Sequence, residues 1–359
     1  MSDLMTAAVY IGPMDVRVDE RPVPHPGEGQ LLLKVLACGV CGTDVHAYQF
    51  GHQLMRPMTV PGHELAGTVV EAGRGTTMPV GTTVACGATL ACGDCTSCRR
   101  GRPNLCLSYG AVGLSADGGM AQFCVVPERI CLDIAPFGLT PDTAALAQPA
   151  SVAVHAAKRG QPTPEQNIAV FGAGGIGALV VAALSSFSLA PTVYDPSPAQ
   201  LDLVGKLAPS AVASREAPQE PASFDLVYEA SGTPGGLAQA LGSLRRGGRL
   251  VMIGLQPGES QIDTRPLVLR EYEIRGSQSH VVEQDMANAM TMLARVGRDA
   301  WDAYAPNVLP LDELVSGVLH PRPDGPVLPG GKVLFDPWAP VRRATDHSPG
   351  PLARSGRSS

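Results

Sequence analysis

The chain is short of lysine, of aromatic rings and of long apolar runs. Only Lys34, Lys158, Lys206 and Lys332 occur among 359 residues, and Phe, Trp and Tyr together make up 4%. With a net charge of -6, there is no basic stripe on which a nucleic acid or an anionic membrane could lie. The longest apolar runs, such as residues 178–184, fall far short of the ~20 residues that a membrane-spanning helix needs. No basic and then apolar leader opens the sequence, so secretion is not expected. Cysteine is present but odd in number, nine residues in clusters. That suits reduced thiols and metal in a cytoplasmic setting better than a disulfide framework.

What is present has the composition of a globular protein, 44% hydrophobic and 17% charged, and its length calls for two domains. From residue 5 to about 150, short strand-like runs (7–11, 30–37, 67–72, 82–86, 120–126) alternate with Gly, Pro and Asp turns. This predicts an irregular β-rich domain, a distorted barrel. The texture then changes. Residues 151–159 read as helix, 167–171 as a buried strand, and a glycine-rich turn leads into an apolar helix reaching about 186. Strand and helix keep alternating through 191–194, 224–228, 235–244 and 249–253, which implies a doubly wound parallel sheet. The expected fold class is therefore α/β, with a β-rich domain over 1–153 and a dinucleotide-type domain over 154–288. A return segment, 289–338, completes the first domain through a strand at 332–335. Residues 339–359, rich in Pro, Ser, Arg and Gly, offer no apolar face and are expected to be a disordered tail.

The glycine-rich turn carries the first chemistry. Gly172, Gly174 and Gly177 fit G-x-G-x-x-G directly after a buried strand and at the opening of a helix. In that context one glycine serves the tight turn, one the close approach of a pyrophosphate, and one the helix-to-strand packing. Gly175 and Ile176 lie within the same turn, where free N–H groups at the helix start face the phosphates. Asp195 ends the next strand, where a carboxylate would accept the ribose hydroxyls. The following Pro196, Ser197 and Pro198 supply no cation for a 2′-phosphate, so NAD is expected in preference to NADP.

The cysteines carry the second. Cys92, Cys95, Cys98 and Cys106 follow C-x2-C-x2-C-x7-C, a spacing that lets four thiolates converge on one tetrahedral zinc. A looser set, Cys41 with Asp44 and His46 and then His63 with Glu64, scatters Cys, His and acidic partners over about twenty residues, as suits a site with an open coordination position. Cys38, Cys86, Cys124 and Cys131 sit in or beside strand-like runs and are expected to be small buried hydrophobes. His280 is expected to be a solvated loop residue.

Taken in order, GVCGTDVH, PGHELAG, CGDC-x2-C-x7-C, GAGGIG, YEASG and LRRGGRLVMIGL resemble the zinc-dependent medium-chain dehydrogenase/reductase family. The resemblance runs over nearly the whole chain, and residues 148–156 are similar to the sorbitol, butanediol and threonine dehydrogenase branch. It implies a GroES-like catalytic domain, a Rossmann coenzyme domain, and an active site in the cleft between them. It also implies one catalytic and one structural zinc, and a homodimer or homotetramer. By motif, Cys41 and His63 would ligate the catalytic zinc, Glu64 would be a ligand or near-ligand, and Asp44 would orient His63. Gln148 stands where the branch usually carries Glu, so Glu64 or water is expected to complete the shell, with Gln148 bonded through water. Thr43 and His46 would carry the substrate proton away. The implied reaction moves hydride between NAD(H) and a secondary alcohol, polyol or cyclitol. A biosynthetic ketone or aldehyde reductase, or a catalytically silent member, remains an alternative.

Overall fold

The computed structural model describes residues 3–218, 223–256, 258–320 and 331–348, and the chain clusters into two compact units. One unit takes the chain up to Gln148, Val281–Ala294 and the chain from Tyr304 onward; the other is Pro149–His280 with Arg295–Ala303. The divide falls in the first turn of helix Ala147–Gly160, earlier than the expected boundary at 153.

The first unit is built around the strand Gln30–Gly39. Its residues Leu31, Leu32, Leu33, Val35, Ala37 and Cys38 are all buried, the pattern of a strand covered on both faces. It pairs antiparallel with Glu64–Ala72, Phe123–Pro127 and Leu334–Asp336. An eight-stranded mixed sheet results, and the strand Leu334–Asp336, distant in sequence, closes beside the N-terminal ones. Leu31, Leu33, Leu65 and Met120 fill its core, each worth roughly 1.5–3 kcal/mol of burial.

The second unit is a six-stranded parallel sheet. Its order is Val212–Ser214, Thr192–Tyr194, Ile168–Phe171, Phe224–Glu229, Leu244–Met252 and Glu273–Gly276. In chain order that is 3-2-1-4-5-6, the doubly wound arrangement whose ligand crevice lies at the carboxyl ends of strands 1 and 4. Helix Gly175–Ser186 is buried without a break from Gly177 to Leu184. An apolar circumference of that kind marks a helix enclosed by the core.

Two expectations need correction. Residues 339–348 are not a free tail: Arg343–Ala344 pairs with Asn307–Pro310, and Thr345 and His347 are buried. The anchors are polar, which an apolar pattern cannot reveal. Arg343 donates to both oxygens of Asp142 at 2.6 and 2.9 Å, and the Asp346 N–H adds a third bond at 2.7 Å. His347 Nδ1 lies 2.8 Å from Thr143 Oγ1. Residues 349–359 of the expected tail lie outside the described residues. His280, expected in solvent, is completely buried. The four strand cysteines are buried as expected. Among the described residues no helix is long and apolar enough to cross a membrane.

Candidate metal centres and nucleotide cleft

Strand register assembles the first cluster. Gly39 pairs with Glu64 at the end of the antiparallel ladder. Cys41, just beyond one strand, and His63, just before the other, therefore emerge at the same edge. Gly39 is required there, because a Cβ would collide with the Glu64 carboxylate. Donor atoms of Cys41, His63 and Glu64 lie within 4.8 Å of one another. His63 and Glu64 are buried.

Electrostatically the cluster favours a cation. Burial pushes the Cys41 thiol up, but Lys332 and His63 outweigh it and hold it below its ordinary value. Burial pushes His63 down, yet Asp44, Cys41 and Glu64 outweigh it and hold it up at about 10. Glu64 Oε2 and His63 Nδ1 are buried without a hydrogen-bond partner, a costly state that an ion with its ordering partners relieves. One thiolate, one imidazole and one carboxylate form a donor set suited to zinc.

The surroundings modify the expectation. Asp44 Oδ1 stands 3.8 Å from His63 Nδ1, too long for a hydrogen bond. The firm role of Asp44 is to accept from the Cys41 N–H at 2.9 Å, within a capping box at the start of helix Gly42–Phe50. Glu64 Oε1 is held by the buried ammonium of Lys332, which also donates to Val40 O at 3.3 Å. Sequence reasoning missed Lys332; the only local signal was a rare lysine at the edge of a predicted strand. Gln148 is buried in the first turn of its helix. Thr43 Oγ1 lies 3.6 Å from Cys41 Sγ, and His46 is exposed on the same helix. Tyr48 is buried, its hydroxyl 3.4 Å from His320 Nδ1, whereas Phe50 is 72% exposed.

The second cluster converges by itself. Sulfur separations are 3.9 Å for Cys92–Cys98, 3.5 Å for Cys95–Cys98 and 3.4 Å for Cys92–Cys106. Four sulfurs at about 2.3 Å from one tetrahedral zinc would stand about 3.8 Å apart, so the four thiols are disposed as an S4 cage. The backbone N–H of Leu107, then that of Cys98, draws the Cys95 thiol down to about 6, which prepares it as a thiolate.

In the other unit, a cleft of about 450 Å³ is lined by Gly172, Gly174, Asp195, Arg215, Ser231 and Thr233, among others. Gly172 has φ 93° and a Cβ there would meet Ser231 N at 2.6 Å; at Gly177 it would strike Gly172 O. A Cβ on Gly174 would meet nothing within 4 Å. The protein itself thus demands the outer two glycines, while the middle one answers to whatever enters the cleft, as a close pyrophosphate would require. Asp195 accepts from Ala173 N at 2.7 Å and Ser197 N at 2.8 Å. Gly175 and Ile176 open the helix beside it.

The chain is similar to known proteins over most of its length. The alcohol dehydrogenase GroES-like domain matches residues 27–136, and the zinc-binding dehydrogenase family matches residues 175–295. Sorbitol dehydrogenase of Bacillus subtilis is 30% identical, covering 75% of this chain and 80% of that protein. L-threonine 3-dehydrogenase of Pyrococcus horikoshii is 30% identical over 85% of this chain and 86% of that one. Among solved structures, a zinc-binding dehydrogenase from Sinorhizobium meliloti bound to NADP superposes with a TM-score of 0.84 at 26% identity, covering 94% of this chain and all of that one. With a GroES-like unit and a Rossmann unit each carrying its own matched segment, the chain belongs to the zinc-dependent medium-chain dehydrogenase family.

Proposed function

We propose that the protein is an oxidoreductase that moves hydride between NAD(H) and a secondary alcohol or polyol and its ketone, with one catalytic and one structural zinc. The observation that carries this reading is the buried convergence of Cys41, His63 and Glu64, with one Glu64 oxygen unpartnered, in a chain that also holds a nucleotide cleft. The names of its relatives, sorbitol, L-threonine and D-arabinitol dehydrogenases, support an alcohol-bearing substrate. Zinc bound there would act as a Lewis acid that eases loss of the substrate proton, and the nicotinamide would accept the hydride.

The chain's own residues supply the rest. Cys41 and His63 hold the ion, and Lys332 neutralises Glu64, restraining that carboxylate from quenching the ion's charge. Gln148 joins the shell through water. Thr43 and His46 stand three apart on one helix, hence on one face; the Thr43 hydroxyl accepts the substrate proton as it releases its own toward the exposed His46, which delivers a proton to solvent. Gly172, Gly174, Gly175, Ile176 and Gly177 cradle the dinucleotide phosphates, and Asp195 receives the ribose hydroxyls, favouring NAD. Cys92, Cys95, Cys98 and Cys106 hold the structural zinc. A cytoplasmic setting fits the reduced, clustered thiols. A homodimer or homotetramer fits the edge strand Glu273–Gly276, unpaired on its outer side among the described residues, and the exposed Leu255, Val268 and Leu269 of the same unit.

A panel of diols, polyols, cyclitols and simple secondary alcohols, read by NADH absorbance, together with metal analysis, tests the reading. Turnover with at least one secondary alcohol and loss of activity on chelation are expected. Activity that survives chelation, or a native protein with no zinc beyond the four-sulfur cage, overturns it.

A further inference from the structure

We propose that Arg215 is a second determinant of coenzyme choice, set beside Asp195 at the ribose end of the cleft, and that it gives the chain affinity for NADP alongside NAD. The inference rests on the dinucleotide reading above and refines it.

The sheet brings the two side chains together. Strand Thr192–Tyr194 pairs in parallel with Val212–Ser214, and Tyr194 is abreast of Ser214. Asp195 and Arg215 are the next residue of each strand, and the Asp195 N–H donates to Ser214 O at 3.2 Å. Both line the same cleft. Arg215 Nε donates to Pro196 O at 3.4 Å, tying the guanidinium to the turn that follows Asp195. That turn carries no cation of its own, and it is where a 2′-phosphate would sit when Asp195 faces the ribose.

The carboxylate is also blunted. Ala173 N and Ser197 N donate to separate oxygens of Asp195, so two backbone dipoles share the charge that would repel a phosphate. A guanidinium presents a planar fork of donors matched to phosphate oxygens, which an ammonium does not. Asp195 thus selects the free hydroxyl, Arg215 accepts its phosphorylated form, and the balance between them sets the discrimination.

The test uses the zinc-loaded full chain and two probes, 5′-AMP and adenosine 2′,5′-bisphosphate, titrated calorimetrically. Wild type should bind both. Arg215→Ala should weaken the bisphosphate by about tenfold or more, as expected for lost charged hydrogen bonds, and move 5′-AMP by less than about threefold. Arg215→Lys, which keeps the charge without the fork, should fall between. An unchanged bisphosphate affinity in Arg215→Ala, or equal weakening of both probes, overturns the role of Arg215 and leaves the dinucleotide site standing. So does a wild type that binds 5′-AMP but not the bisphosphate. A wild type that binds neither probe removes the dinucleotide reading and this inference together.

Discussion

Replacing Lys332 by Met probes the buried pair beside the Cys41, His63 and Glu64 cluster. Lys332 is 5% exposed and Glu64 is fully buried. The ammonium is the only hydrogen-bond partner of the Glu64 carboxylate among the described residues, since Oε2 has none. Its loss leaves an uncompensated buried charge, a change that costs about 3–5 kcal/mol. In a unit of this size each kcal/mol moves the melting temperature by roughly 2–4 °C, so a drop of roughly 6–20 °C is expected. Calorimetric melting, with circular dichroism to confirm the fold, reads it. Glu64→Gln in the same chain removes the stranded charge, so the double variant should recover most of the loss. A single variant that melts within about 3 °C of wild type, or a double variant as unstable as the sum of the singles, refutes the reasoning.

Cys41→Ala should abolish turnover while leaving the melting temperature close to wild type, whereas Cys95→Ser should lower both stability and zinc content; an unchanged metal count in the latter contradicts the cage. Asp195→Ala should raise kcat/KM with NADP relative to NAD, and a wild-type preference for NADP would count against the role given to Asp195. Arg343→Ala strands the buried Asp142 and should lower the melting temperature by several degrees, which thermal denaturation measures. Acid should weaken the edge of the parallel sheet. The hydrogen bond from Arg249, then Arg275, holds Glu273 below its usual range. Its contribution is therefore complete above the unfolded value near ~4.3 and is lost as pH falls through the depressed folded value. Glu273→Gln should flatten the acid limb of the stability profile.

Legibility followed distance along the chain. Gly172 to Gly177 and the four clustered cysteines are local devices, so spacing alone exposed them. The main strands were visible through periodicity because burial on one or both faces writes a pattern into ten residues. Lys332 was not visible, since its partner lies 268 residues away. Arg215 is not legible in sequence because it neighbours Asp195 only through strand register, whereas Pro196, Ser197 and Pro198, which follow Asp195 in sequence, carry no cation. The burial of the 339–348 segment has a related cause: it rests on distant polar partners, Asp142 among them, and on no apolar pattern of its own.

The late arrival of Lys332 bears on biosynthesis. A ribosome adds about 5–20 residues per second. Glu64 therefore waits roughly 13–54 s for the ammonium made 268 residues later, at those rates. During that interval the strand Leu334–Asp336, which pairs with Gln30–Gly39, has not been made either, so the buried carboxylate and the sheet that carries it both wait for the end of the chain.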